Sequence, residues 1–214
     1  MSAFPIILSA PSGGGKTTIA RALLSRRRDL GYSVSCTTRA PRVNEIDGRD
    51  YYFLSRRRFL ARQQAGEFAE SAEVHGNLYG TLRTEVERVL GAGQHVLMDI
   101  DVQGASQFKG AFPQSVTVFV LPPSGDVLLE RLRERNTETP TQLVARLQSA
   151  LQELQAVDEY QYVVVNDDLE ETVRTVSSIV DGEVGSRARV AALRQQVAQL
   201  IDQLEREVEH HHSS

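Results

Sequence analysis

The sequence predicts an α/β fold: a parallel sheet flanked by helices, with a small mixed α+β lobe inserted into it and a helical lid. Three observations predict it. A short buried run, Pro5-Ile6-Ile7-Leu8-Ser9, passes at once into a glycine-rich turn and then into helical spacing. Three more apolar, β-branched runs follow, separated by helical segments, the alternation that builds a parallel sheet. Between the first run and the next lies a long stretch of mixed polarity, broken by glycines at positions 48, 66, 76 and 80.

In chain order, the strand Pro5 to Ser9 leads into a helix over Lys16 to Arg28, with Ile19, Leu23 and Leu24 on one face. From Ser35 to Gly93 the pattern is that of an inserted lobe, a small antiparallel sheet crossed by one helix that starts near Ser55 as N-cap. The runs His95 to Ile100, Ser115 to Leu121 (stopped by Pro122-Pro123) and Tyr162 to Val165 supply further core strands. Residues Gly125 to Asp158 carry many charges and no strand signal, which predicts a helical hairpin at the surface. After Val184, the residues Val190, Leu193, Val197, Leu200, Leu204 and Val208 step by three or four, an apolar seam along a helix. The expected organisation is therefore a core of 1–34, 94–124 and 159–185, a lobe of 35–93, a lid of 125–158, an amphipathic C-terminal helix of 186–209 and a histidine-rich tail of 210–214.

Composition narrows the function classes. The chain has 214 residues, 41% hydrophobic and 24% charged, which excludes a wholly disordered chain and a disulfide-stapled miniprotein. Cys36 is the one cysteine, and it reads as a packing residue. With no secretory signal and no apolar run long enough to span a bilayer, a cytoplasmic protein is expected, without a membrane partner. A net charge of −4 argues against a general nucleic-acid binder. Of the 24 basic residues only Lys16 and Lys109 are lysines, so arginine, the side chain that grips phosphate bidentately, dominates.

The strongest motif is Ala10-Pro11-Ser12-Gly13-Gly14-Gly15-Lys16-Thr17, with Thr18 next in the helix. It matches a phosphate-binding loop, with Ala where the first Gly is usual. Its glycines let successive backbone N–H groups turn inward around phosphate oxygens. Lys16 would reach the β- and γ-phosphates, Thr17 would offer its hydroxyl to Mg²⁺, and the helix N-terminus adds a positive dipole end. Asp99 ends a core strand beside this loop, the place of an acidic residue that holds Mg²⁺ or its waters. Asp101 fits that role and that of a helix N-cap equally. In the lobe, Arg39 and Arg42 in Ser35 to Arg42, with Tyr51 and Tyr79, could bind a second phosphate. Taken alone this last cluster would pass as ordinary surface arginines.

With the run Phe68 to Thr81 added, the sequence resembles the guanylate kinases, nucleoside-monophosphate kinases that convert GMP to GDP. The resemblance extends from about Pro5 to Asp181. It rests on the phosphate loop, Ser35 to Arg42, Asp47-Gly48 through Phe53, Glu70 to Thr81 and Asp99 to Gly104. Arg131-Leu132 with Arg135, Arg146-Leu147 and Val165-Asn166-Asp167 complete it. It implies the P-loop NTPase fold, ATP as co-substrate and Mg²⁺. It also implies that residues matching Ser35, Arg39, Arg42, Tyr51 and Tyr79 hold the GMP phosphate, and that Glu70 and Thr81 read guanine, with Asp101 nearby. Arg131, Arg135 and Arg146 match lid arginines that close over ATP, and Asn166 a residue near the adenine side. The chain departs from the family at Ala10, at Thr17 where Ser is more frequent, and at Ala69 and Ser71 where bulkier residues often flank the acid.

The chemistry agrees. Guanine presents N1–H and the N2 amine side by side, and an acceptor-only carboxylate takes both. Adenine offers a bare N1 acceptor there. The attacking phosphate is mostly dianionic at neutral pH, so no general base is needed. Accordingly His75 and His95, the only histidines outside the tail, read as structural. Two other readings stand beside this one: a non-catalytic guanylate-kinase-like binding domain, and a related kinase with another phosphorylated acceptor. The intact Lys16, Thr17 and Asp99 argue against the first, and Glu70 with Thr81 against the second. Further expectations are dGMP as an additional acceptor, lobe and lid motions on substrate binding, and a C-terminal helix that either folds back on the core or pairs with a second copy in a homodimer.

Overall fold

The computed structural model describes residues 3–74, 76–132 and 147–187 with their side chains, and 133 and 140–146 as helical backbone. The chain divides into two compact units, 2–174 and the segment from Thr175 onward together with Met1. Of the second, residues 175–187 are helical. The C-terminal seam from Val190 to Val208, the tail, His75 and Arg135 lie outside the described residues, as does the side chain of Arg146.

The main sheet is all parallel. It contains β1 (Pro5–Ser9), β2 (Leu30–Tyr32), β7 (His95–Asp99), β8 (Val116–Leu121) and β9 (Tyr162–Val165), in the order β2-β7-β1-β8-β9. β1, β7 and β8 are buried along almost their whole length, which is why they read as continuous apolar runs. β2 was not expected. It is three residues long with Gly31 at its centre, so it carries no apolar run, and its pairing with β7 alone makes it a strand. Helix α1 (Lys16–Arg26) buries Ile19, Ala20 and Leu23.

The second sheet, in the order β4-β3-β6-β5, comprises β3 (Cys36–Thr37), β4 (Tyr52–Phe53), β5 (Phe68–Val74) and β6 (Asn77–Leu82). β5 and β6 form a hairpin and β3 pairs antiparallel to β6, but β4 runs parallel to β3. The purely antiparallel lobe sheet is thus corrected to a mixed one. The cause is the loop from Thr38 to Tyr51, which carries the chain back before β4 starts. Helix α2 (Arg56–Gln64) starts where expected, with the Ser55 side chain accepting from the Arg58 N–H. Phe59 stacks on Phe68 with ring centroids 4.4 Å apart, and Cys36, Leu78 and Leu82 complete a separate small core. Cys36 is fully buried there, and burial pushes its thiol up to about 12, so it is an inert packing residue.

Helix α3 (Arg83–Gly91) falls within the 35–93 stretch expected as the lobe, yet its Val86 and Val89 pack with Ile7, Val96, Met98 and Phe108 beneath the main sheet and not with the lobe's own small core. Helix α4 (Val102–Ala111) packs on β5 and so carries the core up to the lobe strand that holds Glu70. Helices α5 (Gly125–Arg133) and α6 (Pro140–Gln155) form the expected hairpin, held by Leu128, Leu132 and Ala150. His95 is structural: its Nδ1 accepts from the Phe4 N–H at 3.2 Å.

Candidate active site

The carboxyl ends of β1, β7 and β2 open on one cleft of about 810 Å³, the position where parallel α/β sheets bind ligands. Ala10 to Thr18 form its floor. Gly13 and Gly15 have φ of 86° and 89°, values only glycine adopts without strain. Ala10 is buried at the start of the loop. Its methyl lies where a Cβ on residue 14 would come within 2.7 Å, so Gly14 is what lets Ala10 fit. α1 begins with no side-chain cap and no acidic residue in its first turn, which leaves its first amides and dipole for an anion. Asn166 is buried behind the loop, donating from Nδ2 to the Gly14 carbonyl at 3.0 Å and accepting at Oδ1 from Thr172. Its amide therefore holds the loop in shape from behind.

Three side chains meet at the end of β7. The Thr17 hydroxyl donates to Asp99 Oδ2 at 2.7 Å and the Tyr32 phenol donates to Oδ1 at 2.9 Å. Lys16 Nζ donates to the Ile100 carbonyl at 3.0 Å, level with Asp99. Burial, then the Asp99 charge, push the Tyr32 phenol far up, so it remains a donor. On the side of the α5–α6 hairpin, the Ser12 N–H donates to Glu153 of α6 at 2.9 Å. Arg131 of α5 lines the same cleft beside Gly13, with its Nη1 buried and without a hydrogen-bond partner. A buried guanidinium N–H left open beside an anion-binding loop is what phosphate oxygens would complete.

At the other end of the cleft stands Glu70, 5% exposed on β5. Its Oε1 accepts from the Thr81 hydroxyl at 2.6 Å, and Thr81 Oγ1 lies 3.3 Å from Ser35 Oγ. Burial raises the Glu70 carboxyl to about 7, against the lowering effect of the Thr81 bond and with a further push from Asp101. Of the two readings of Asp101 the structure realises the helix N-cap: Oδ1 accepts from the Gly104 N–H at 2.7 Å. Gly104 matters in its own right, since a Cβ there would lie 2.8 Å from Glu70 Oε2.

The lobe loop gathers the phosphate-binding candidates differently from expectation. Arg39 forks onto Glu45, Nη1 to Oε2 at 3.0 Å and Nη2 to Oε1 at 2.9 Å, while Glu45 Oε2 also accepts from the Arg42 N–H. The Arg39 guanidinium lies 5.4 Å from the Tyr51 ring centre, and the Tyr51 and Tyr79 rings meet edge-on at 6.1 Å. Tyr51 and Tyr79 line the cleft, and Glu45 holds Arg39 at their side.

Residues 2–183 match the Guanylate kinase family. The chain belongs to the guanylate kinase family. It is 45% identical to a guanylate kinase of Nitrosomonas europaea over 193 residues, 90% of this chain and 94% of that one. Against a guanylate kinase of Thermotoga maritima the identity is 46% over 184 residues, covering 86% and 87%. Among solved structures, the guanylate kinase of Anaplasma phagocytophilum superposes with a TM-score of 0.69 at 38% identity, covering 85% of this chain and 86% of that one. The P-loop kinase fold expected from sequence is the one observed.

In this guanylate kinase the cleft brings together Ala10 to Thr18, Ser35, Tyr51, Glu70, Tyr79, Asp99, Asp101 and Arg131. Thr81 is fully buried behind Glu70, to which its hydroxyl donates, and Asn166 is buried behind the loop, where its amide donates to the Gly14 carbonyl. Arg39 and Arg42 stand outside the lining, Arg39 on Glu45. Sequence reasoning did not single out Tyr32, Glu45 and Glu153, and passed over Gly104 within a motif it named. Tyr32, Glu153 and Gly104 contribute through contacts distant in sequence that no local pattern marks, whereas Glu45 meets Arg39 and the Arg42 N–H only six and three residues away.

Proposed function

We propose that this guanylate kinase transfers the γ-phosphoryl group of ATP to GMP, giving ADP and GDP, reversibly. One observation carries the reading. A single cleft has a phosphate-binding loop at one end and the buried Glu70–Thr81 pair at the other. The first end suits a triphosphate, the second a base with two adjacent donors. Assaying GMP, dGMP, AMP, dTMP and IMP as acceptors tests it. GMP should be preferred, with dGMP also accepted because base and phosphate carry the recognition. A best acceptor other than a guanine nucleotide would overturn the reading.

The roles follow from position. Glu70 accepts from guanine N1–H and N2–H, with Thr81 orienting its Oε1 and Asp101 fixing the start of α4 beside it. Ser35, Tyr51 and Tyr79 meet the GMP phosphate, and Arg39 and Arg42 are brought to it when the lobe closes. The backbone of Ala10 to Thr18 and Lys16 take the ATP phosphates, Asn166 keeps that backbone shaped, and Arg131, Arg135 and Arg146 come from the lid. Thr17 and Asp99 fit Mg²⁺. They are two hard oxygen donors 2.7 Å apart beside the loop, suited to a cation that takes its other ligands from phosphate and water. Bound there, Mg²⁺ would neutralise charge on the β- and γ-phosphate oxygens.

Two polyanions repel in water, and the arginines of lobe and lid offset that repulsion while excluding water from the transferred group. Glu153 on the Ser12 N–H marks a place where an anion already rests on the loop. Arriving phosphates compete with it, which ties lid position to ATP occupancy. Lobe displacement between apo and doubly liganded forms is expected. Among the described residues no helix is long and apolar enough to cross a membrane, and we place the enzyme in the cytoplasm with its substrates. The C-terminal seam is proposed to pair two copies. A full chain that sediments as a monomer, as a truncation after Gly185 should, would dispose of that pairing.

A further inference from the structure

Asp99 is the carboxylate offered to the metal, yet nothing in its own strand fixes its plane. β7 ends at Asp99, and the side chain projects from the sheet edge into the cleft. Two hydroxyls from different elements hold it. Thr17, in the first turn of α1, donates to Oδ2 at 2.7 Å, and Tyr32, at the end of β2, donates to Oδ1 at 2.9 Å. β2 pairs parallel with β7, with Tyr32 opposite Leu97, so the long phenol reaches across two residues of strand to the carboxylate. β2 is three residues long and ends at this tyrosine.

We propose that Tyr32 is a positioning residue for the metal site: its phenol clamps Asp99 Oδ1 so that Oδ2 stays on the Thr17 side, where phosphate-bound Mg²⁺ would be met. The inference rests on the kinase reading of the cleft. Without Tyr32, the carboxylate is held at one oxygen only and can rotate about its terminal bond, a broad torsion with little intrinsic preference. Outer partners of this kind orient metal-binding groups, and their loss typically weakens metal affinity by about 10–100-fold. Because the Mg²⁺ here would take most of its ligands from ATP and water, the effect belongs at the lower end, about tenfold. Tyr32 donates one hydrogen bond and touches Asp99, not the guanine end of the cleft, so the loss should be confined to the metal.

The test compares wild type with Tyr32→Phe, which keeps the ring and its packing. Equilibrium binding of a non-hydrolysable ATP analogue is measured by calorimetry in EDTA and across a Mg²⁺ titration. In wild type Mg²⁺ should tighten binding. In Tyr32→Phe the Mg²⁺ needed for half of that gain should rise about tenfold, while affinity in EDTA and the Kd for GMP stay within twofold. In kinetics the same shift should show in the Mg²⁺ dependence and not in KM for GMP. Adding Tyr32→Phe to Asp99→Ala should produce no further shift, because the clamp then has nothing to hold. If wild type responds to Mg²⁺ and Tyr32→Phe responds identically, the clamp is refuted and the metal site stands. If wild type shows no Mg²⁺-dependent gain, the metal reading fails and the clamp with it. A drop in GMP affinity equal to the Mg²⁺ effect would make Tyr32 a general support of the cleft and would also refute the proposal.

Discussion

If Glu70 reads guanine as proposed, its buried carboxyl should make GMP recognition pH-dependent. Guanine needs the carboxylate, since a protonated carboxyl presents a donor to one of two guanine donors. With Glu70 raised to about 7, free enzyme at pH 6 is mostly in the wrong form. The apparent KM for GMP then scales as one plus the ratio of protonated to ionised Glu70, a factor of about 11 at pH 6, about 2 at pH 7 and about 1.1 at pH 8. The GMP phosphate, with its own pKa near ~6, adds about twofold at pH 6. Wild type should therefore lose about 20-fold in KM between pH 8 and pH 6. Glu70→Gln removes the titrating group and keeps the phosphate's contribution, so its KM should change by only about twofold over the same range. At pH 8 that variant should already be about 10²–10⁴ poorer in kcat/KM for GMP, because one of the two base donors has lost its acceptor. Initial rates at saturating ATP and Mg²⁺, with pH varied in buffers of constant ionic strength, give both slopes. Parallel slopes in wild type and Glu70→Gln would refute the assignment of Glu70 as the titrating base reader. Linkage gives a second sign. A carboxyl raised on folding stabilises the free protein fully below its unfolded value of 4.5, and that contribution is lost as pH rises through about 7. Thermal melts of the free protein should fall across that window, and less so for Glu70→Gln.

Three further outcomes are expected. Thr81→Val removes the hydroxyl that holds the Glu70 pKa down, so the KM-against-pH curve for GMP should move to higher pH; a curve that stays in place would deny Thr81 that role. Gly104→Ala places a methyl in the first turn of α4 that approaches Glu70 Oε2 at 2.8 Å, so the carboxylate must shift and KM for GMP should rise about tenfold or more; an unchanged KM would show that the carboxylate gives way at little cost. Lys16→Met should reduce kcat by at least about 10³ while GMP binding by calorimetry stays near wild type; turnover within tenfold of wild type would remove Lys16 from the transfer step.

Local backbone demands made part of this enzyme readable without any structure. Gly13 and Gly15 are needed for positive φ, Lys16 and Thr17 follow at fixed spacing, and β1 is apolar because it is buried on both faces. The Ser55 cap and the lid hairpin were readable for the same reason: a cap acts over three residues and amphipathic spacing over two turns. The family pattern extended that reading to Glu70 and Thr81. Tertiary structure decided the rest, because the deciding contacts join residues far apart in sequence. Tyr32 and Asp99 are 67 positions apart, Ser12 and Glu153 141, and Gly14 and Asn166 152. β2 exists only because β7 offers its edge, and the lobe sheet is mixed only because a loop carries the chain back before β4. The Glu70 carboxyl belongs to this second kind. Its acidity near 7 comes from being buried between β6 and α4, and desolvation is a property of the packed surroundings that no run of neighbouring residues encodes.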